Sequence, residues 1–211
     1  ITLDKFTNAR FSGNKKMLPA KSLIITFDDG HAGNYKLLDI FKEYSVTPTI
    51  YICSQIVDSD THFWFIPPEK RNGRAALNKE EIEQMKSHVD FQSHTQNHAI
   101  LTKCTEHEST SEICKSKSDL YEMINIEITH FAYPQSQFSD RDERTVKSCG
   151  YSTARSVECG YNDVYTNPFD LRAFCVDDNA SINQLSAQIS WFYPFVRFLL
   201  KGDFKRLHLP F

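Results

Sequence analysis

Short apolar runs alternate with helical patterns along most of the chain. The first run, LIITF at residues 23–27, is continuous and rich in β-branched residues, as expected of a strand that is covered on both faces. Further strands are predicted at residues 49–53, 89–93, 128–133, 151–155 and 171–176. Repeated strand-then-helix units of this length predict an α/β domain with a mostly parallel sheet or barrel.

Helical patterns fill the intervals between these runs. Residues 34–44 carry apolar side chains at the spacing of one helix face, namely Leu37, Ile40, Phe41 and Tyr44. Asn78, followed three residues later by Glu81, resembles a capping box that opens a helix over residues 79–87. The remaining helices are expected at residues 109–124, from Ser139 to Gly150, and at residues 181–200. No repeat, linker or low-complexity tract interrupts the pattern, so residues 1–211 are interpreted as one domain.

Composition narrows the classes of function. The chain has 211 residues, with 24 Lys and Arg against 27 Asp and Glu, and its formal net charge is −3. That balance argues against broad binding of nucleic-acid phosphates and against a basic membrane-surface anchor. No window of about eighteen apolar residues occurs, so no transmembrane segment is predicted. Six cysteines without a CxxC pair are expected to be mostly free thiols, with one or two disulfides left open.

Two adjacent carboxylates close the first predicted strand. Asp28 and Asp29 in the TFDDG motif repel each other, so a buried strand that ends this way needs a neutralising partner. A divalent metal supplies one if one Asp is a ligand and the other is the general base on the metal-bound water. The alternative is a hairpin turn, because Asp-Gly is a strong turn signal, but the next predicted element is a helix rather than a strand.

A pair of histidines follows the third predicted strand. If the backbone turns helical in SHTQNH, His94 and His98 project from one face at i, i+4 and can share one ion. An isolated HxxxH is weak evidence, but a carboxylate from the first motif completes a two-His-one-carboxylate set with open positions for water and substrate. At the next strand end, FAYPQS at residues 131–136 contains a proline turn whose N–H groups can face a developing oxyanion.

Taken in order, TFDDG, SHTQNH about 65 residues later, and FAYP resemble the motifs of the polysaccharide deacetylases, which are carbohydrate esterase family 4 or the NodB homology domain. The FAYP sequence is typical of one branch of that family. Lesser matches are Gly30-His31, Glu112, Ser116 and Gly150-Tyr151. The resemblance extends over most of the chain. It implies a distorted, incomplete (β/α) barrel that removes acetyl groups, N-acetyl foremost, from a polysaccharide or oligosaccharide by attack of metal-bound water.

Carried over position by position, the resemblance makes Asp28 the catalytic base. It places the ligands of one divalent ion, commonly Zn²⁺, at Asp29, His94 and His98. Gln135 takes the place whose backbone N–H stabilises the tetrahedral oxyanion. The implied partner is an acetylated carbohydrate. Tyr133 and Trp64, the latter in the aromatic segment HFWFIPP, stand where a sugar ring could lie.

The chain departs from the family pattern at three positions. Many members have Arg where this chain has Ala132, but the FAYP-type branch shares that absence, so it does not by itself argue for an inactive protein. The usual Gly is Ser136, and the late catalytic His is matched only in sequence order by His208. These last two departures motivate one alternative, a carbohydrate-binding module that retains the fold and the metal site. A Cys–His hydrolase is a more remote alternative, because no Cys stands beside a recognisable nucleophile turn. The chain opens at Ile1 without a signal-peptide pattern, so neither localisation nor oligomeric state follows, although a cell-surface glycan pathway is consistent with the motifs.

Overall fold

Five parallel strands form one sheet, in the order β1-β2-β3-β4-β5, in the computed structural model of the protein, which describes residues 1–58, 63, 66, 76–176 and 179–190. Their bounds are β1 Thr26–Phe27, β2 Thr49–Ile52, β3 Asp90–Ser93, β4 His130–Ala132 and β5 Thr153–Arg155. The register pairs Phe27 with Ile50, Ile52 with Ser93, Ser93 with Phe131, and Ala132 with Arg155. Because the strands all run in one direction, their carboxyl ends meet at the same edge of the sheet.

The described residues also form six α-helices. They are α1 Leu3–Phe11, α2 Leu38–Glu43, α3 Lys79–Met85, α4 Glu106–Ile124, α5 Asp140–Ser148 and α6 Ile182–Ile189. The predicted capping box is present, since Asn78 Oδ1 accepts the N–H of Glu81 at 2.8 Å and Glu81 Oε2 accepts that of Asn78 at 3.0 Å. Helix α4 begins three residues before its predicted start because Thr105 and Glu108 form another capping box. The predicted last helix is described only through Ile189, because residues 191–211 lie outside the described part of the chain.

The sheet is covered on both faces, as a parallel sheet requires. Along β2, Ile50 and Ile52 point into the main core, whereas Tyr51 between them packs with α1 on the opposite face. The main core is completed by fully buried residues of α3, β3, α4 and β4, namely Ile82, Met85, Phe91, Ile113, Leu120 and Phe131. The second face is closed by Leu3 and Phe6 of α1, a helix that the sequence patterns did not predict.

Two predictions about the first strand and helix are wrong. The run at residues 23–27 forms a strand only from Thr26, and Leu23 is 53% exposed rather than covered. The predicted helix over residues 34–44 is a 3-10 segment, Ala32–Leu37, followed by the short α2. The buried residues of α2 are Leu38 and Phe41, whereas Ile40 and Tyr44 are exposed. The predicted apolar face is therefore only half right, because Leu37 and Phe41 contact the core and the other two residues do not.

The sixth predicted strand is also wrong. Leu171 makes a single parallel bridge with Arg155, and residues 172–176 form no strand. The backbone then leaves the sheet edge, because the N–H of Ala173 donates to the carbonyl of Glu158 in the loop after β5. The apolar pattern at residues 171–176 thus marks a segment that touches the edge of the sheet without extending it.

A disulfide joins Cys114 of α4 to Cys149, the residue that directly follows α5. This is one of the arrangements that the six cysteines left open. Cys53, by contrast, is a buried free thiol that donates to the carbonyl oxygen of His94. Among the described residues, no helix combines the length and apolar composition that a membrane span requires.

Candidate metal and catalytic site

The three motifs meet at the carboxyl edge of the sheet. Asp28 and Asp29 follow β1, His94 follows β3, and the proline turn follows β4. The Asp-Gly step is not a hairpin, because it leads into the 3-10 segment Ala32–Leu37 rather than into a strand. Gly30 has φ +71°, and a Cβ there would lie 2.6 Å from Ile52 Cγ2 on the neighbouring strand, so this position requires glycine. The backbone is thereby fixed directly after the two carboxylates.

The two histidines are brought together by a turn, not by a helix. In residues 94–98, here called the histidine turn, Thr95 has φ 69° and His98 has φ 58°, so the predicted helical i, i+4 arrangement is wrong. Left-handed backbone at a residue other than glycine costs roughly 1 to 2 kcal/mol. Backbone hydrogen bonds from the loop after β2 hold the turn, with Ser54 N–H donating to Thr95 O at 3.2 Å and Gln55 N–H to Gln96 O at 2.9 Å.

Asp29, His94 and His98 form a donor set that fits a divalent metal ion. Asp29 Oδ1 lies 3.4 Å from Nε2 of His94 and 3.4 Å from Nε2 of His98. With metal–ligand bonds of 2.0 to 2.1 Å, neighbouring donors of a tetrahedral site are about 3.3 to 3.4 Å apart. Nδ1 of His94 lies 2.8 Å from the carbonyl oxygen of Ala132, which can only accept, so Nδ1 carries the proton and Nε2 presents its lone pair. The three ligand atoms lie within 4.8 Å of one another.

The electrostatics of these groups favour a cation. Burial alone would raise the pKa of Asp29, but hydrogen bonds from His31 and His94 hold it well below its usual range. Burial and the neighbouring His94 lower the pKa of His98 to about 4, so this imidazole is neutral at pH 7. Burial would lower the pKa of His94 as well, yet the hydrogen bond to Asp29 and the charge of Asp28 raise it. A metal ion at this site would take the place of the proton on Nε2 of His94, while Nδ1 keeps its proton.

Arg155 is a site residue that the sequence patterns missed. Its guanidinium forms a close ion pair with Asp28 Oδ1 and lies 5.1 Å from the ring centroid of Tyr51. Burial would raise the pKa of Asp28, but Arg155 and then His94 hold it below its usual value, so Asp28 is ionised at neutral pH. Arg155 ends β5 at the same sheet edge as the other motifs, and that position was the available signal.

The comparisons with known proteins decide the family. The family model described as polysaccharide deacetylase matches residues 15–154. The chain belongs to the polysaccharide deacetylase family. It is 25% identical over 142 residues to the Bacillus subtilis (strain 168) protein YxkH, which is named as a candidate polysaccharide deacetylase. The match covers 66% of this chain and 46% of YxkH, so the chain spans about half the length of that curated relative.

Solved structures of deacetylases share the fold. Streptococcus pyogenes deacetylase PplD, solved in complex with acetate, superposes with a TM-score of 0.76 at 22% identity, covering 90% of this chain and 79% of PplD. A de-N-acetylase from Aggregatibacter actinomycetemcomitans superposes with a TM-score of 0.71 at 17% identity, covering 89% and 82% of the two chains. These likenesses confirm the predicted distorted, incomplete (β/α) barrel. Assignment to the FAYP-type branch stays a prediction.

One departure from the polysaccharide deacetylase pattern is compensated within the sheet. Ala132, where many members have Arg, is the register partner of Arg155 on the neighbouring strand. The positive charge beside Asp28 therefore comes from β5 instead of β4, one strand away.

The turn after β4 adopts a left-handed backbone that glycine would favour. Gln135 has φ 52° and Ser136 has φ 54°, so the serine occupies the left-handed region despite its side chain. Its hydroxyl accepts a short hydrogen bond from the N–H of Val157 in the loop after β5. The role of the Gln135 N–H in oxyanion stabilisation stays a prediction.

The predicted sugar contact at Tyr133 is wrong. Its ring is 2% exposed and stacks on Phe138 with the centroids 3.9 Å apart, and its hydroxyl donates to the carbonyl of Phe169. Phe63 of the aromatic segment is likewise 1% exposed, and its ring lies 4.4 Å from that of His31. Both rings belong to the core that supports the site. Trp64 and His208 lie outside the described residues.

Proposed function

We propose that this chain is a metal-dependent hydrolase that removes N-acetyl groups from a polysaccharide or oligosaccharide, with Zn²⁺ bound by Asp29, His94 and His98. The observation that carries the proposal is the pair of 3.4 Å distances from Asp29 Oδ1 to the two imidazole Nε2 atoms, with a second, ionised carboxylate beside them. Membership of the polysaccharide deacetylase family supports the same class of reaction.

The residues divide the chemistry between them. A divalent ion held by this donor set supplies a water that is acidic enough to react at neutral pH and polarises the acetyl carbonyl. Asp28 takes the proton from the attacking water, since it is ionised and its side chain is 35% exposed beside the ligands. Arg155 orients the Asp28 carboxylate and keeps it charged. The water oxygen then bonds to the acetyl carbonyl carbon, and the Gln135 N–H donates to the oxyanion that forms. Protonated Asp28 returns its proton to the amide nitrogen as the C–N bond breaks, which releases acetate and the amine.

Substitutions at the base and at a ligand test the proposal. Asp28→Asn keeps the carboxylate's shape and all three ligands, so we expect normal zinc content and a loss of turnover of roughly 10²- to 10⁴-fold. His94→Ala removes a ligand, so zinc content and turnover should both fall. The measurements are zinc per chain by elemental analysis and acetate release from chito-oligosaccharide. Asp39→Asn and His107→Ala, which change exposed residues elsewhere, are the matched controls.

Three results would count against this function. Wild-type turnover in Asp28→Asn would show that another group is the base. Full activity after a chelator has removed the metal would refute metal dependence and revive a Cys–His hydrolase. Saturable binding of acetylated glycan without acetate release over long incubation would support the carbohydrate-binding module instead. Reconstitution with cobalt or nickel in parallel with zinc tests the identity of the metal.

A further inference from the structure

A stripe of polar residues on α4 faces the histidine turn. Glu112, Ser116 and Asp119 are spaced by four and three residues, which places them on one face of the helix. The adjoining face of the helix carries Ile113 and Leu120, which are fully buried, so the stripe lies at the margin of the core. Polar side chains at such a margin require hydrogen-bond partners, and residues in or next to the histidine turn supply them.

Two residues of the stripe contact a residue that directly precedes a proposed ligand. Ser116 Oγ lies 2.7 Å from the hydroxyl of Ser93, the residue before His94. Glu112 accepts both the backbone N–H and the side-chain amide of Asn97, the residue before His98, at 2.9 and 2.8 Å. Glu112 and Ser116 coincide with the lesser family matches found in the sequence. Asp119 belongs to no motif.

Asp119 joins more parts of the site than the other two. Its Oδ2 atom accepts from Gln96 Nε2 at 2.8 Å, from Ser54 Oγ at 2.9 Å and from Gln55 Nε2 at 3.0 Å. Gln96 stands in the middle of the histidine turn, whereas Ser54 and Gln55 lie in the loop that follows β2. One carboxylate oxygen therefore connects α4 both to the histidine turn and to the loop after β2.

The histidine turn depends on such external contacts. Thr95 and His98 adopt left-handed backbone that neither residue favours, so the conformation persists only where its surroundings impose it. The two backbone hydrogen bonds from Ser54 and Gln55 fix the turn to the β2 loop, and Asp119 fixes that loop and the turn to the helix. Burial would raise the pKa of Asp119, but Gln96 and the other two donors hold it below its usual value, consistent with an ionised acceptor.

We propose that Asp119 is a positioning residue for the metal site, which sets the spacing of His94 and His98 by holding Gln96 and the β2 loop against α4. This inference rests on the proposed function only in assigning the two histidines as metal ligands. It does not require that the chain hydrolyse any particular glycan. It predicts that Asp119 determines metal affinity without contacting metal or substrate.

Zinc affinity of apo protein, measured by competition with a chromophoric chelator, is the test. Asp119→Ala should raise the zinc dissociation constant by roughly tenfold, the lower end of what partners of metal ligands contribute. Asp119→Asn keeps an acceptor oxygen and should fall between the alanine variant and wild type. Glu122→Gln removes a carboxylate from an exposed position of the same helix and should match wild type. At saturating zinc the turnover of Asp119→Ala should recover, which a general loss of folding would not allow.

A double-mutant cycle with Gln96→Ala identifies the route of the effect. If Asp119 acts through Gln96, the loss of affinity in the double variant is clearly smaller than the product of the two single losses. If the two single losses of zinc affinity simply multiply in the double variant, Asp119 does not act through Gln96. Wild-type zinc affinity in Asp119→Ala would overturn the inference. A wild type that binds zinc but releases no acetate would refute the proposed hydrolase while leaving the affinity comparison decisive. A wild type that takes up no divalent ion would overturn both.

Discussion

Replacing Arg155 by methionine tests whether the buried guanidinium holds the general base. The Arg155 side chain is 8% exposed and that of Asp28 is 35% exposed, so the substitution leaves a partly buried carboxylate beside Asp29 without its cation. Breaking a fully buried ion pair costs about 3 to 5 kcal/mol, and because Asp28 keeps contact with water we expect about 2 to 3 kcal/mol here. The free energy of unfolding in urea should fall by that amount.

The same substitution should also affect catalysis. An Asp28 carboxylate that is no longer oriented should lower kcat by roughly 10- to 100-fold at unchanged zinc content, because small displacements of a reacting group are that costly. Arg155→Lys keeps the charge but not the planar group over Tyr51. We therefore expect smaller losses of unfolding free energy and of kcat than in Arg155→Met. Arg144→Met on the exposed face of α5 is the matched control.

The decisive comparison is between Arg155→Met and the double variant Asp28→Asn/Arg155→Met. If the destabilisation comes from the uncompensated carboxylate, removing its charge restores most of the lost free energy of unfolding. If the double variant is as unstable as Arg155→Met alone, the loss arises from the contacts of Arg155 with Tyr51 or with the carbonyl of Ser156, and the ion pair is not what holds the base.

Two further predictions concern the scaffold behind the site. Burial would raise the pKa of Asp142, but hydrogen bonds, chiefly the one from Ser109, lower it. The ionised Asp142 therefore stabilises the fold fully above the pKa that it has in the unfolded chain. This stabilisation is lost as the pH falls through the lower pKa that it has in the folded protein. Asp142→Asn should therefore cost about 1.5 to 3 kcal/mol in urea unfolding at pH 7, and a difference that fails to shrink on acidification would contradict this assignment. Removing the Cys114–Cys149 bridge by a double Ser substitution should cost roughly 3 to 4 kcal/mol for a loop of this length. Denatured, unreduced protein should show two fewer reactive thiols than reduced protein, and equal numbers would exclude the bridge.

The sequence was sufficient for the parts of the site that depend on local pattern. Asp28 and His94 directly follow predicted strands, and parallel strands place such positions at one edge, so their proximity could be expected before any coordinates. The helix starts at Asn78 and Ser139 were equally predictable, because a capping box is complete within four residues.

The remaining features depend on contacts between distant segments. Arg155 is 127 residues from Asp28 in the chain, and only the register of β4 with β5 places its guanidinium beside the base. Ile40 gives a helical example, because it lies on the predicted apolar face and is nevertheless exposed. The periodicity of the sequence indicates an apolar face, but it does not show which other segment packs against that face. Tyr133 in the FAYP motif stands where a sugar ring could lie, whereas Phe138 and Phe169, which enclose its side chain, come from later segments.

Backbone strain links these long-range contacts to the chemistry of the site. Of the eight non-glycine residues with positive φ in the described part of the chain, five lie in the loops that follow β1, β3 and β4, namely Asp29, Thr95, His98, Gln135 and Ser136. Such backbone is unfavourable for an isolated segment, so each loop must be held by something outside it. Ile52 packs against the first loop, Asp119 and the β2 loop hold the second, and Val157 holds the third. The three motifs thus supply the reactive groups, while residues outside those motifs fix the backbone conformations that bring them together.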